Sequence, residues 1–312
     1  MTTSVAVAQN RPLPAIACMV AAVTVFSLLN AGIKLTGSTI PVLQQMFFRN
    51  AGAFLPILVV LIATGGMAQL RTRRLGDHGK RAGIGLVSQF CFFYAFAHLP
   101  LADVVATGFA APLFLTALAP FLLGESVGWR RWSAVAVGFA GVLLLLQPGQ
   151  GGGDYLSGAG YAGPILLGGT VLYALVMVML RQLGSTEASV TIVFYFSATA
   201  TVGLGLALPL VWVTPADWRE WAILIGLGVF GGIGQILMTQ AFRLAPASIV
   251  APFDYSQILW AVLLGHFIWS EWPTALGWSG VGLVIASGLY ILHREAVRGA
   301  VRPPQIREPT KT

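Results

Sequence analysis

The sequence predicts an all-α integral membrane protein whose ten transmembrane helices form two inverted five-helix repeats. Three observations predict this fold class: an apolar composition, ten long apolar segments, and a match between the two halves of the chain. Hydrophobic residues make up 56% of the 312 residues and charged residues only 9%, whereas soluble domains average about 25% charged residues. The mean hydropathy of +0.80 is typical of a chain that crosses a bilayer several times.

The apolar segments follow one another along the chain, separated by short stretches rich in Gly, Pro and charged residues. Most reach the roughly 20 residues that cross about 30 Å of hydrocarbon, and the third is the shortest. A polar tail at 1–12 precedes them, and a basic tail at 294–312 follows them. The predicted segments are 13–34, 41–64, 81–98, 101–123, 129–147, 161–181, 188–213, 219–242, 246–269 and 273–293.

The basic residues are distributed unequally between the two sides of this predicted topology. With the N-terminus in the cytoplasm, 15 of the 18 Lys and Arg residues fall on the cytoplasmic side, including Arg81 and the loop before it at 65–80. The opposite side holds Lys34 and Arg219, and Arg49 is left inside a segment. By the positive-inside rule, both termini are cytoplasmic in an inner or plasma membrane. Topology therefore explains the net charge of +7, and we expect no nucleic-acid partner.

A shift of 146 residues overlays the second half of the chain on the first. The stretch YAFAHLPLADVV at 94–105 overlays QAFRLAPASIVA at 240–251, and Pro100 falls on Pro246. The register holds without a gap from about 83 to 145. Each copy contains five segments, an odd number, so the second copy enters the membrane from the opposite side. Inverted repeats of this kind are typical of secondary transporters, whose substrate site lies near the midplane between the repeats.

The repeat also defines the predicted domains. The first repeat occupies 13–147, an extracytoplasmic linker follows at 148–160, and the second repeat occupies 161–293. The expected partners are the lipid bilayer and a small-molecule substrate, and the expected assembly is a monomer or a weak homodimer.

The fourth segment of each repeat has a common pattern: it begins with Pro, ends in Gly-Glu or Ser-Glu, and is followed by Trp seven residues later. The residues are Pro100, Gly124, Glu125 and Trp132 in the first repeat and Pro246, Ser270, Glu271 and Trp278 in the second. This pattern resembles the drug/metabolite transporter superfamily of the EamA type, over about 13 to 293. The resemblance implies a central cavity built mainly by the first, third, fourth, sixth, eighth and ninth segments. It also implies a substrate among amino acids, nucleotide-like metabolites, vitamins, organic acids or drugs.

Arg49 lies inside the second segment, 41–64. The second repeat has one extra residue upstream of the gapless stretch, and this one-residue offset makes the apolar Phe196 the counterpart of Arg49. A guanidinium keeps its proton at every working pH, and placing it at mid-bilayer costs about 2.5–3.5 kcal/mol on insertion scales. We interpret Arg49 as a clamp for a substrate carboxylate or phosphate, which a guanidinium binds bidentately. The alternative is a structural ion pair that holds two helices together.

Asp254 lies about eight residues into the ninth segment, roughly 12 Å deep at 1.5 Å per helical residue. Two functional interpretations stay open. Either Asp254 pairs with Arg49 and releases it when substrate binds, or Asp254 carries the proton that couples transport to a gradient. The alternative to both is a solvated acid in the wall of the cavity.

Further polar side chains inside the segments complete the predicted substrate site. Gln45 lies one helical turn before Arg49, Gln257 lies one turn after Asp254, and Gln89 and Gln235 are equivalent in the two repeats. The alternative for each is an interhelical hydrogen bond. Besides Arg49 and Asp254, the predicted substrate-binding residues are Asn30, Gln45, Gln89, Gln235, Tyr255 and Gln257.

These observations predict a secondary transporter that moves a small polar metabolite with an anionic group, such as an amino acid or derivative, by alternating access. We expect no catalytic residue, metal or cofactor, and no ATP-binding motif is present, so a gradient or exchange must supply the energy. The alternatives are an organic-acid, vitamin or drug carrier of the same fold, or an integral-membrane enzyme. An enzyme would need titratable groups clustered at one interface, and the sequence offers only isolated ones.

Overall fold

A computed structural model describes residues 11–64, 66–123, 128–146, 161–184, 186–245 and 247–301. These residues form thirteen α-helices and one 3-10 helix and contain no β-strand. The α-helices are α1 Pro12–Thr36, α2 Val42–Gly52, α3 Phe54–Thr64, α4 Leu75–His98, α5 Leu101–Gly108, α6 Ala111–Leu123, α7 Trp129–Leu145, α8 Ala162–Gly184, α9 Ser189–Val211, α10 Trp218–Leu244, α11 Ala247–Asp254, α12 Gln257–Trp269 and α13 Ala275–Val301. The 3-10 helix is Gly66–Leu70.

The chain is an all-α protein with several membrane-spanning helices. Six helical stretches in the described residues are long and apolar enough to cross a bilayer. They are Pro12–Thr36, Val42–Ala63, Leu101–Leu118, Ala162–Gly184, Val190–Val211 and Trp218–Phe242. A shorter apolar helix covers Ala275–Ile291. The predicted all-α membrane class is therefore confirmed.

Two predicted boundaries differ from the structure. The third segment was predicted to begin at 81, but α4 begins at Leu75 and has 24 residues, so this segment is not the shortest. The predicted tail at 294–312 begins as helix, because α13 continues to Val301. Both extensions contain charged residues, and a hydropathy pattern does not register a helix that continues beyond its apolar part. The predicted linker at 148–160 lies outside the described residues, as do 1–10 and 302–312.

Three of the predicted segments are each interrupted near the middle. The breaks fall at Ala53 between α2 and α3, at Phe109 and Ala110 between α5 and α6, and at Tyr255 and Ser256 between α11 and α12. Proline has no N–H to donate to the carbonyl four residues earlier. Pro56 and Pro112 explain the first two breaks in this way.

The third break lies three residues beyond Pro252, which itself stays inside α11. There the hydroxyl of Ser256 donates to the carbonyl of Phe253 (2.6 Å), and so does its backbone N–H (3.1 Å). Two donors from one residue thus replace the regular helical pattern with a tighter turn.

The helices pack in pairs that are equivalent under the 146-residue shift. α1 packs against α10, and the equivalent pair is α8 with α4. α2 packs against α10, and the equivalent pair is α9 with α4. α7 and α13, which are equivalent to each other, form a further contact. The repeat seen in the sequence is therefore also present in the packing.

Glycines allow the closest of these approaches. A Cβ atom on Gly228 of α10 would lie 2.4 Å from the Cα of Gly52 in α2. A Cβ on Gly280 of α13 would lie 2.7 Å from the carbonyl oxygen of Gly141 in α7. Small residues at such crossings let two backbones come into van der Waals contact, which stabilises helix pairs in lipid.

Side-chain networks connect the helices at both ends of the bundle. At one end, Lys34 of α1 forms an ion pair with Glu271 and donates to the carbonyl of Leu99 (2.8 Å). At the other, Arg74 contacts Asp77 (2.8 Å) and donates to the hydroxyl of Thr186 (3.0 Å). These will be called the Lys34 end and the Arg74 end; α4, about 36 Å long at 1.5 Å per residue, separates them.

Candidate functional site

The Arg49 side chain lies between α2 and α10. It crosses the backbone of Gly231, where an added Cβ would lie 3.5 Å from Arg49 Cγ and 3.6 Å from its Nε. Its Nη1 donates a long hydrogen bond of 3.3 Å to Asn50 Oδ1. Within the described residues no carboxylate lies at ion-pair distance from Arg49. The structural ion pair that was the alternative interpretation is therefore not formed there.

A chain of polar groups leads from Arg49 to α4. Asn50 is fully buried and its Nδ2 donates to the carbonyl of Met46 (2.8 Å) and to Gln89 Oε1 (3.3 Å). Gln89 Nε2 is buried and has no hydrogen-bond partner within the described chain. The structure thus brings the predicted residues Arg49 and Gln89 together through Asn50 and leaves one amide donor available.

A second guanidinium, predicted to lie on the cytoplasmic side, also lies in the interior, on the same helix as Gln89. Arg81 is only 9% exposed, and its Nε and Nη1 atoms have no hydrogen-bond partner among the described residues. Its Cζ lies 4.6 Å from the centroid of the Phe196 ring. Arg81 lies on α4, which packs against α2, the helix that carries Arg49.

A signal for the burial of Arg81 was available in the repeat. The residue 146 positions later is Leu227, which is 1% exposed in α10. An interior position in one repeat predicts an interior position in the other. The count of Lys and Arg residues instead placed Arg81 on the cytoplasmic side, because it is the first residue of the predicted third segment and charged residues precede it at 71–80.

Tyr173 of α8 lies within electrostatic range of Asp254, Arg81 and Arg49. Its ring contacts Phe92 edge-on, with centroids 6.1 Å apart. Asp254 is half-buried at the end of α11. In the part of the chain that the structure describes, Asp254 and Arg49 form no ion pair. The pair expected between them is therefore absent from this conformation.

Tyr255 is 8% exposed and its ring stacks on that of Phe109, with centroids 4.6 Å apart and planes inclined by 25°. Its hydroxyl lies so close to α13 that a Cβ on Gly288 would come within 2.1 Å of it. The structure therefore places this predicted site residue in helix packing.

The other predicted residues lie at separate positions. Gln45 is fully buried, and its Nε2 donates to the carbonyl of Ile40 (3.0 Å) at the start of α2. Asn30, Gln235 and Gln257 are half-buried on α1, α10 and α12. No described hydrogen bond joins these four residues to Arg49 or Asp254.

A groove of about 370 Å³ lies at the Lys34 end, between α5, α7, α12 and the start of α13. It contains Asp103 and Glu271 and none of the predicted substrate-binding residues. It is thus separate from the polar group around Arg49, Arg81 and Tyr173, which lies between α2, α4 and α8.

Comparison with known proteins identifies the class of the protein. The EamA-like transporter family matches residues 13–147 and again 162–292. A pseudopaline exporter of Pseudomonas aeruginosa is 34% identical over 266 residues, which cover 84% of this chain and 90% of that protein. A riboflavin transporter of Vibrio cholerae is 28% identical over 92% of this chain and 95% of its own length. An S-adenosylmethionine uptake transporter of Rickettsia prowazekii is 26% identical over 84% and 86%, respectively.

A solved crystal structure shares the fold, with a TM-score of 0.61 over 92% of this chain and 99% of that one, at 20% identity. The resemblance seen in the sequence motifs is thus confirmed, and so is the expectation of a transporter that is not an enzyme. The chain belongs to the EamA-like transporter family.

Proposed function

We propose that this transporter moves a small polar metabolite with an anionic group across the cell membrane, and that Arg49 binds the anion. One observation carries the proposal: a guanidinium lies inside the bundle without a carboxylate partner among the described residues. A cation at such depth is costly unless an anion or water compensates it. A substrate carboxylate or phosphate would supply that anion and accept two parallel hydrogen bonds.

The proposed topology has ten membrane spans, with both termini in the cytoplasm and the two repeats at 13–147 and 161–293 inverted relative to each other. The equivalent packing of α1 with α10 and of α8 with α4 supports this arrangement. So does the interruption of the fourth and ninth spans at equivalent positions. The Arg74 end is then cytoplasmic and the Lys34 end extracytoplasmic. The transporter acts as a monomer or weak homodimer.

Transport follows by alternating access, in which the repeats rock about a central site. The ion pair of Lys34 with Glu271 supports this view, because it holds the Lys34 end together in the described conformation. Glu271 also accepts the backbone N–H of Leu101 (3.2 Å), at the start of α5. Opening the Lys34 end requires these contacts between the repeats to separate. Asp254, beside the break in the ninth span, is the residue proposed to couple that movement to a gradient.

Ligand-induced thermal stabilisation of the purified protein tests the proposed role of Arg49. Amino acids and their derivatives are screened first, then organic acids and vitamins, riboflavin among them. Arg49→Ala is expected to abolish the shift for anionic ligands and to leave expression intact. Arg219→Ala, at an exposed position at the start of α10, is the matched control. An unchanged shift in Arg49→Ala would remove Arg49 from the site.

Counterflow of labelled substrate in proteoliposomes then tests the transport step. A carrier accelerates the uptake of label when unlabelled substrate fills the vesicle, whereas a channel or an enzyme does not.

A further inference from the structure

We propose that the substrate carries two negative charges close together, one bound by Arg49 and the other by Arg81. This inference rests on the proposed function, since it assumes that Arg49 belongs to the substrate site. It adds a second anion-binding residue and restricts the substrate to a dianion, such as a dicarboxylate.

Two positive charges lie in the interior without a carboxylate beside them. Arg49 and Arg81 lie on α2 and α4, which pack against each other, and among the described residues neither has a carboxylate at ion-pair distance. A buried, unpaired charge is strongly unfavourable. A substrate with one negative charge would leave one of the two guanidiniums uncompensated, whereas a dianion would compensate both.

Three hydrogen-bond donors in the interior are unused. Arg81 Nε, Arg81 Nη1 and Gln89 Nε2 are buried, and none has a partner among the described atoms. Buried polar groups nearly always have a partner, so these three unpaired donors indicate a ligand rich in acceptors. Arg81 and Gln89 are eight residues apart on α4, about 12 Å along the helix axis, and both belong to the broad stripe of α4 that faces the interior.

The ring of Phe196 holds the Arg81 guanidinium in position. Its Cζ lies 4.6 Å from the centroid of Phe196, within the distance of a favourable cation–π contact. The same ring covers Gly85, where an added Cβ would lie 3.0 Å from it. With the one-residue offset between the repeats in this region, Phe196 is equivalent to Arg49. The second repeat thus contributes the Phe196 ring that supports the Arg81 guanidinium. At the equivalent position the first repeat contributes the Arg49 guanidinium.

The experiment compares probes that differ by one charge at nearly constant shape. The pairs are glutamate with glutamine and aspartate with asparagine. Binding of each probe to the full-length protein in detergent is measured by thermal shift, and its uptake by counterflow. The native protein is expected to prefer the more anionic member of at least one pair.

Arg81→Gln is expected to weaken binding of that probe by roughly 10- to 100-fold, the size of one charge-assisted hydrogen bond. Binding of the probe with one negative charge should weaken by less than about threefold, because that probe does not contact Arg81. Arg81→Lys keeps the positive charge and should recover part of the preference for the more anionic probe. It is also the variant to use if Arg81→Gln fails to fold. Arg219→Gln is the control for a general loss of positive charge.

The outcomes separate this inference from the proposed function. If Arg49→Gln removes anion binding while Arg81→Gln leaves the ratio within each pair unchanged, the dianion inference is overturned and the proposed function stands. If Arg49→Gln changes nothing, both fail. A native protein that prefers no dianionic member of any pair would also overturn the inference. A purely structural Arg81 would lower thermal stability and leave the preference between paired probes unaltered.

Discussion

The rings of Phe109 and Tyr255 stack on each other with centroids 4.6 Å apart, and the two residues occupy the same position in the two repeats. Two equivalent residues can touch only where the symmetry axis relating the repeats passes between them. Both rings lie in helix breaks, α5–α6 and α11–α12. The breaks therefore face each other on the proposed axis, where inverted-repeat transporters place substrate.

Two substitutions of Tyr255 distinguish a role in helix packing from a role in substrate binding. Tyr255→Phe keeps the ring and is expected to keep both native stability and ligand binding. Tyr255→Ala removes a buried ring, and such truncations cost about 3–5 kcal/mol; it is expected to lower the melting temperature clearly. Thermal unfolding with and without a bound anionic ligand measures both effects. Loss of ligand binding in Tyr255→Phe at native stability would show that the hydroxyl contacts substrate.

The sequence made the Phe109–Tyr255 equivalence visible but not their contact. The 146-residue shift places the two residues at one position, whereas the break that brings them together depends on local geometry. Pro112 and Pro252 do not occupy equivalent positions in the two repeats. The helix breaks nevertheless do, because the second break forms at Ser256 and not at Pro252. The positions of the prolines therefore could not predict that the two breaks are equivalent.

The candidate site could be predicted in part. Arg49 stands out in the sequence because a charge inside an apolar segment is rare. Arg81 does not stand out, because it follows directly on the charged loop. The hydrogen bond of Gln45 to Ile40 (3.0 Å) could not be predicted either, since a buried amide can turn to its own helix or to a neighbour. Sequence patterns thus identify polar residues in the interior more readily than they identify their partners.

Gly228 provides a test of the α2–α10 crossing that holds Arg49. A Cβ at Gly228 would lie 2.4 Å from Gly52 Cα and 2.6 Å from the carbonyl oxygen of Phe48, and backbone cannot move aside as a side chain can. We expect Gly228→Ala to destabilise the protein by about 1–3 kcal/mol, the usual cost of overpacking. Anion binding should weaken as well, because Arg49 follows Phe48 directly on the displaced helix.

Gly226→Ala is the matched control, two residues away on the same helix. Nothing lies within 4 Å of a Cβ at Gly226, so the change is expected to be neutral or to stabilise by up to about 1 kcal/mol through helix propensity. Thermal unfolding and ligand titration of both variants provide the comparison. Equal behaviour of the two variants would contradict the close contact of α2 with α10.

The ion pair of Lys34 with Glu271 is expected to stabilise the closed Lys34 end. Removing one partner of a fully buried pair costs about 3–5 kcal/mol. Because the Glu271 side chain is 27% exposed, we expect Glu271→Gln to cost less, about 1–3 kcal/mol. The double variant Lys34→Met with Glu271→Met leaves no uncompensated charge, and it should be more stable than either single change.

Cysteine labelling measures whether that end opens. Ala102 is 7% exposed beside the groove, so Ala102→Cys, with Cys18 and Cys91 changed to Ser, reports access of a maleimide to this region. The Glu271→Gln change is expected to accelerate labelling. Equal labelling rates with and without Glu271→Gln would show that the ion pair does not hold this end closed.

Asp254 is the residue on which the proposed coupling depends. It is half-buried at the break between α11 and α12, and Tyr173 of α8 lies within electrostatic range of Asp254 and of both guanidiniums. A carboxylate in that position can bind and release a proton as the repeats rock, and the neutral amide of Asp254→Asn cannot. We therefore expect Asp254→Asn to carry out counterflow, which needs no gradient, and to lose the acceleration of net transport by a pH gradient.

The matched control is Asp217→Asn, since Asp217 is exposed and accepts hydrogen bonds from the backbone N–H groups of Arg219 (2.9 Å) and Glu220 (3.0 Å) at the start of α10. Asparagine caps helices about as well as aspartate, so this variant removes a carboxylate without changing the fold or the interior. Both variants are reconstituted and assayed across a range of external pH. An Asp254→Asn protein with a normal rate and an unaltered pH dependence would exclude Asp254 as the coupling carboxylate, because the proton would then have to bind elsewhere.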